Sequence, residues 1–126
     1  MQSATNPTNP SFPHHRLQAW ATAADLAVAC QRIAARIPRG QRSLADQLAR
    51  ASQSTALLIA EGANRMGMGE KRQRYSLARG ECGECAAALE LAQRLGLAPA
   101  LEVAAALALA DRVGAMLTRL VVRFGG

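Results

Sequence analysis

The sequence predicts an all-α protein: an antiparallel up-down-up-down four-helix bundle with a disordered N-terminal tail. Half of the 126 residues are hydrophobic but only 3% are aromatic, so small helix-forming residues supply the apolar content. Apolar residues recur at helical spacing in four segments of about 20 to 26 residues. The links between these segments are short, and short links make consecutive helices antiparallel neighbours. A chain of this length has room for one domain.

Residues 1–15 are predicted to form the tail and residues 16–126 the bundle. Three prolines stand among Asn, Thr and Ser in the first 13 residues, and such a segment can neither continue a helix nor fill a sheet. Helix 1 is expected to begin at Arg16, where the apolar stripe starts. Pro38 and Gly40 are expected to end it.

Helix 2 is expected to begin behind Ser43 and Asp46, which resemble a capping box with Asp in place of Glu. A glycine cluster at residues 62–69 ends this helix and turns the chain. Helix 3 is then expected over about residues 70–95. One of its faces carries Tyr75, Ala78, Cys82, Cys85, Leu89 and Ala92.

Helix 4 is expected over about residues 99–124. Gly96 suits the left-handed position after a helix end, and Pro99 suits the first turn of the next helix. Residues 104–110 are apolar without interruption, which is wider than a single core-facing stripe requires. The excess apolar surface indicates an interface between subunits.

Basic residues are expected to gather at both ends of this bundle. The formal net charge is +6, and Lys71 is the only lysine, so an acidic partner would meet guanidinium groups suited to phosphate. The alternative is that these arginines complement the helix dipoles and keep an alanine-rich protein soluble. The end where helices 2 and 3 join and helix 4 finishes is predicted to be a nucleic-acid-binding face that contains Arg65, Lys71, Arg72, Arg74, Arg119 and Arg123.

Two acidic residues interrupt apolar faces, and the antiparallel register gives each of them a basic partner. A turn centred near Gly67 sets Glu84 opposite Arg50 and Glu61 opposite residues 72–74. We interpret both as structural ion pairs that define the register of helices 2 and 3.

The sequence predicts no metal site, no cofactor and no enzymatic activity. Cys82 and Cys85 have a metal-like spacing, but a structural zinc ion needs four ligands, so both are interpreted as small core residues. The pair His14 and His15 lacks a positioned partner for acid-base chemistry. Three cysteines, an odd number, indicate reduced thiols in the cytoplasm. No apolar run is long enough to span a membrane, so a soluble protein without a membrane partner is expected.

Helices 2 and 3 each carry a characteristic motif. The helix 2 motif is Leu44-x-x-Gln47-Leu48-x-Arg50-Ala51-x-x-Ser54, followed by Ile59-Ala60-Glu61-Gly62-x-x-Arg65. The helix 3 motif contains Arg72, Tyr75, Leu77-Ala78-Arg79-Gly80 and Glu84-Cys85-Ala86-Ala87. Both motifs resemble those of a known bacterial family of four-helix bundles, which includes the 23S rRNA intervening-sequence proteins. Leu58 stands where that family usually has Asn.

The resemblance covers about residues 16–95 and implies a non-catalytic, oligomeric, RNA-associated protein. A related branch comprises accessory proteins of diversity-generating retroelements, which look like basic pentameric barrels that bind nucleic acid and a reverse transcriptase. By this resemblance the chain is expected to form a homopentamer and to bind the backbone of RNA or DNA, with a reverse transcriptase as a further partner. The competing hypothesis is a protein-interaction scaffold without a nucleic-acid role, in which the apolar helix 4 makes the contacts.

Overall fold

The computed structural model describes residues 12–125, which form four α-helices. They are α1 (Gln18–Ala35), α2 (Arg42–Asn64), α3 (Met68–Arg94) and α4 (Ala100–Gly125), with short 3-10 turns at Pro13–Arg16 and Arg39–Gln41. No strand occurs within this range, and no helix in it is long and apolar enough to cross a membrane. The predicted all-α class is therefore confirmed. The part of the predicted tail that precedes residue 12 lies outside the described residues.

Each helix packs on its chain neighbours, and α1 also packs on α4. Side-chain contacts join the end of one helix to the start of the next, as in the pair of Glu61 on α2 with Arg74 on α3. This arrangement is consistent with up-down-up-down order. We call residues 13–17, 61–75 and 118–125 the α2–α3 end, and residues 35–42 and 94–102 the α1–α2 end.

The core consists of medium and small side chains. Leu26, Leu48, Ile59, Leu89 and Leu117 are fully buried, and several alanines fill the spaces between them. The whole predicted face of α3 is buried as well, namely Tyr75, Ala78, Cys82, Cys85, Leu89 and Ala92. A core of small residues lets helices approach closely, so the bundle depends on packing density more than on large side chains.

Two predicted boundaries are wrong. Helix α2 begins at Arg42, and its N-cap residue Gln41 makes no side-chain capping bond, so Ser43 lies inside the helix and forms no capping box. The reason is the 3-10 turn after Pro38, which leads directly into α2. Residues 13–15 are also not tail, because Pro13 starts a 3-10 turn that packs on α1 and α2. Gly96 adopts φ +74° as expected for the left-handed position.

Helix α4 leaves part of its apolar surface uncovered in the single chain. Within the uninterrupted run 104–110, Ala106 and Ala110 are buried, whereas Ala104, Ala105 and Ala108 are exposed. Leu101 is 86% exposed and Val122 is 67% exposed. The outer face of α4 therefore offers apolar contacts to another molecule.

Candidate nucleic-acid interface

The close approach of α2 and α3 shapes the α2–α3 end, and Gly62 permits it. A Cβ atom at Gly62 would lie 2.7 Å from Tyr75 Cε1 and 2.9 Å from Tyr75 Cδ1, so only glycine leaves room for the buried ring. Lys71 Nζ donates to the carbonyl of Gly62 at 3.3 Å and to that of Ala63 at 2.9 Å. These bonds add a charged donor to carbonyls in the last turn of α2, where the helix itself supplies few donors. Lys71 thus has a structural role at this end.

Two of the predicted phosphate-binding arginines already face carboxylates. Arg74 Nε donates to Glu61 Oε1 at 3.1 Å, within the segment that the register places opposite Glu61. Arg65 Nη1 lies 3.9 Å from Glu70 Oε2. A paired guanidinium group contributes less net positive charge at the surface than a free one, so these two arginines are the weaker candidates for binding phosphate.

The other three predicted arginines, Arg72, Arg119 and Arg123, are exposed. Among residues 12–125, none of the three has a carboxylate oxygen within 4.0 Å. All three are close to the last turns of α4. The guanidinium carbon of Arg123 lies 5.3 Å from the centroid of the Phe124 ring, and a Cβ atom at Gly125 would lie 2.6 Å from Arg72 Cδ.

Arg16 belongs to the same surface, although the sequence reasoning did not include it. It lies in the 3-10 turn Pro13–Arg16 and lines a groove of about 220 Å³ together with Lys71, Arg123 and Phe124. Arg119 and Arg123 line an adjoining groove beside the start of α1. We call the four exposed arginines of this end, Arg16, Arg72, Arg119 and Arg123, the basic face.

The predicted ion pair between Arg50 and Glu84 is wrong. Arg50 Nη1 lies 3.9 Å from Glu81 Oε1, while Glu84 accepts a hydrogen bond from Gln47 Nε2 at 2.9 Å. Arg50 Nη2 in turn donates to Gln47 Oε1 at 2.9 Å. Glu81 and Glu84 are one turn apart on α3, and Gln47 occupies the position next to Glu84 that the register had given to Arg50.

The arginines of the α1–α2 end lie close to acidic residues. Arg36 forms an ion pair with Glu102. Arg39 and Arg42 are exposed and line a shallow groove that also contains Asp46. This end therefore places acidic groups among its arginines, which makes it a natural comparison for the basic face.

The cysteines lie in the core and do not approach a metal-binding arrangement. All three are buried, and Cys30 Sγ lies 3.4 Å from Cys85 Sγ. Burial, with smaller contributions from Asp111 and Cys30, raises the pKa of the Cys82 thiol to about 11. Across residues 12–125, no group of three or more His, Cys, Asp or Glu side chains is placed to hold a metal ion.

The chain matches the model of a known protein family. A family model described as 23S rRNA-intervening sequence protein matches residues 15–119, which includes most of all four helices. No curated protein matches the chain. The family match extends the resemblance seen in helices 2 and 3 to most of α4.

Proposed function

The chain belongs to the family of 23S rRNA-intervening sequence proteins, and from that premise we propose that it is a non-catalytic accessory protein that binds the phosphate backbone of RNA or DNA. The observation that carries this proposal is the basic face. Its four arginines are exposed at one end of the bundle, and none has a carboxylate oxygen within 4.0 Å among the described residues. Guanidinium groups bind phosphate oxygens in paired hydrogen bonds.

Helix-dipole stabilisation accounts for only part of the basic face. The favourable interaction of a cation with a helix C-terminus is confined to the last turn. Arg123 lies in the last turn of α4, and Arg72 lies beside it. Arg16 precedes α1, near a helix N-terminus where a positive charge is unfavourable. A role in binding an anion explains why Arg16 is on the same surface.

We further propose that several copies assemble through the outer face of α4 as a homopentamer, the state that the resemblance to the pentameric accessory proteins implies. Exposed apolar residues on this face are spaced four, three, seven and seven residues apart, as in a heptad repeat in which two seam positions are not apolar. They are Leu101, Ala105, Ala108, Ala115 and Val122. A closed ring would repeat the basic face around its axis and strengthen its field.

Light scattering tests this assembly. We expect Ala108→Glu to shift the protein toward a monomer of 13.3 kDa, because the added charge would be buried in the interface. Gln53→Glu, which adds the same charge at an exposed position on α2, should leave the mass unchanged. A wild-type protein that is already monomeric at tens of micromolar, where an obligate interface would be filled, would contradict the proposal.

The nucleic-acid role is tested by fluorescence anisotropy with a labelled single-stranded RNA of about 20 nucleotides, enough to cover a typical site. The double variant Arg119→Gln/Arg123→Gln should weaken binding by about tenfold at low salt, because it removes two phosphate contacts. The matched control is Arg39→Gln/Arg42→Gln, which removes two exposed charges from the α1–α2 end and should change the affinity less than about twofold.

A wild-type protein without affinity for RNA or DNA at low salt would overturn the nucleic-acid proposal. The exposed face of α4 would then favour the second candidate function, a protein-interaction scaffold. Loss of binding in the control variant alone would mean that the opposite end of the bundle carries the contacts.

A further inference from the structure

All four Phe, Tyr and Trp residues of the chain lie at the α2–α3 end or directly beside it: Tyr75 and Phe124 belong to it, and Phe12 and Trp20 contact the histidines of its 3-10 turn. Tyr75 is buried, and its ring centroid is 5.9 Å from that of Phe124. Phe12 and Trp20 lie on the other side, around the 3-10 turn that contains Arg16. The rest of the core is built without aromatic side chains, so this concentration is a property of the same end that carries the basic face.

Phe12, His14, His15 and Trp20 form a cluster of rings, which we call the aromatic cluster. The ring centroids of His14 and His15 are 4.4 Å apart, and those of His14 and Trp20 are 4.9 Å apart. Phe12 stacks on His14 with a centroid distance of 5.9 Å and an interplanar angle of 23°. Such distances are typical of interacting aromatic rings.

The cluster is held in place but not covered. Asn64 Nδ2 lies 2.9 Å from His14 Nδ1, which ties the 3-10 turn to the end of α2. Trp20 is half-buried against the core, whereas Phe12 is 57% exposed. Burial, with a smaller contribution from the positive charge of His15, lowers the pKa of His14. The neutral form of its ring is therefore favoured more than in an ordinary histidine, and the neutral ring can stack like the other rings.

A groove brings the aromatic cluster and the basic face together. The groove of about 220 Å³ at the α2–α3 end is lined by Pro13, Arg16, Lys71 and Arg123, among others. Pro13 is adjacent in sequence to Phe12 and His14, so the rings of the aromatic cluster lie next to this groove. Phosphates bound to the arginines would bring neighbouring bases within reach of the rings.

We propose that the aromatic cluster stacks against unpaired bases of a single-stranded nucleic acid whose phosphates lie on the basic face. The inference rests on the proposed function and adds a preference for single strands over duplexes. Aromatic side chains beside a positively charged groove are the general means of binding single strands without reading their sequence. A duplex keeps its bases stacked inside and would gain only the phosphate contacts.

Trp20 makes the test direct, because it is the only tryptophan of the chain. The full chain is titrated with a uridine oligonucleotide, with an abasic strand that has the same number of phosphates, and with a duplex of the same length. We expect the uridine strand to quench Trp20 fluorescence and to bind at least about tenfold more tightly than the abasic strand, as expected for stacking of one or more bases. A thymidine strand shows whether the same site also accepts DNA.

Equal affinities for the uridine and abasic strands would overturn this inference while leaving the proposed function intact. Affinity for none of the nucleic acids would overturn the proposed function itself. Tighter binding of the duplex than of the uridine strand would also contradict the inference, because the rings would then contribute nothing.

A variant of Phe12 distinguishes stacking of this ring against a base from a purely structural role of Phe12 in the 3-10 turn. Phe12→Ala should weaken binding of the uridine strand about fivefold, within the range for loss of one stacked base, and leave binding of the abasic strand unchanged. Leu57→Ala is the matched control, since Leu57 is 61% exposed on α2 and lines neither of the two grooves at the basic face. An equal loss for both strands would mean that Phe12 only positions Arg16, which would contradict the stacking role.

Discussion

Replacing Gly62 by alanine probes the contact that sets the α2–α3 end. The new Cβ atom would lie 2.7 Å and 2.9 Å from two ring carbons of Tyr75, well inside van der Waals contact. Tyr75 is only 2% exposed, and the neighbouring Phe124 ring limits its movement. We therefore expect the helices to separate slightly or the ring to leave its preferred rotamer.

The expected magnitude follows from two opposing effects. Overpacking of a core costs about 1 to 3 kcal/mol, while exchange of glycine for alanine inside a helix gains about 1 kcal/mol. The net result is a loss of about 1 kcal/mol for Gly62→Ala. Gly80 is the matched control on α3, because a Cβ atom there meets nothing within 4 Å. Gly80→Ala should therefore gain up to about 1 kcal/mol.

Thermal unfolding followed by far-UV circular dichroism measures both variants. A difference of about 2 kcal/mol corresponds to melting temperatures that differ by about 5 °C or more for a chain of this size. Stabilisation of both variants by the same amount would show that Tyr75 does not pack against Gly62. The close approach of α2 and α3 that brings Lys71 to the carbonyls of α2 would then be wrong as well.

Three further outcomes are expected. Arg50→Ala should cost less than about 1 kcal/mol in urea unfolding, because its side chain is 57% exposed and such pairs contribute little; a loss near 3 kcal/mol would restore the buried pair predicted from sequence. Lys71→Met should cost about 1 kcal/mol by the same assay, since two carbonyls of α2 lose a charged donor; an unchanged midpoint would contradict the capping role. Because the pKa of Cys82 is about 11 in the folded chain and 9.0 for an ordinary thiol, the thiol ionises at lower pH in the unfolded chain than in the folded chain. The free energy of unfolding should therefore be unaffected below pH 9.0 and fall as the pH rises toward 11. In urea unfolding across this pH range, Cys82→Ala should make the fall of the unfolding free energy with pH shallower by an amount that corresponds to about one proton. Identical pH profiles for wild type and variant would contradict the raised pKa of Cys82.

The helices could be predicted from the sequence because apolar periodicity and short links leave few alternatives. The buried face of α3 follows directly from the spacing of Tyr75, Cys82 and Leu89. The start of α2 could not be located in this way. Ser43 and Asp46 resemble a capping box, but α2 begins at Arg42, directly after the 3-10 turn that follows Pro38.

Topology determines which residues share an end of the bundle, and this part of the candidate site could be predicted from the sequence. Arg72 and Arg123 share one end because α3 begins where α4 finishes. The pairing of Arg74 with Glu61 and of Arg50 with Glu81 depends on the reach of individual side chains, which spacing does not specify. Arg16 was missed because its segment is rich in proline and polar residues, and its structure depends on contacts with distant residues such as Trp20 and Asn64.

The salt dependence of nucleic-acid binding tests the central claim most directly, because its slope counts the phosphates that the protein neutralises. If each basic face engages about four phosphates, the logarithm of the affinity for a single strand should fall with the logarithm of salt concentration with a slope of about −3. The Arg119→Gln/Arg123→Gln variant should reduce this slope by about 1.4, and Arg39→Gln/Arg42→Gln should leave it unchanged. A slope that is the same in wild type and the first variant, or one that falls only in the second, would contradict the assignment of the basic face.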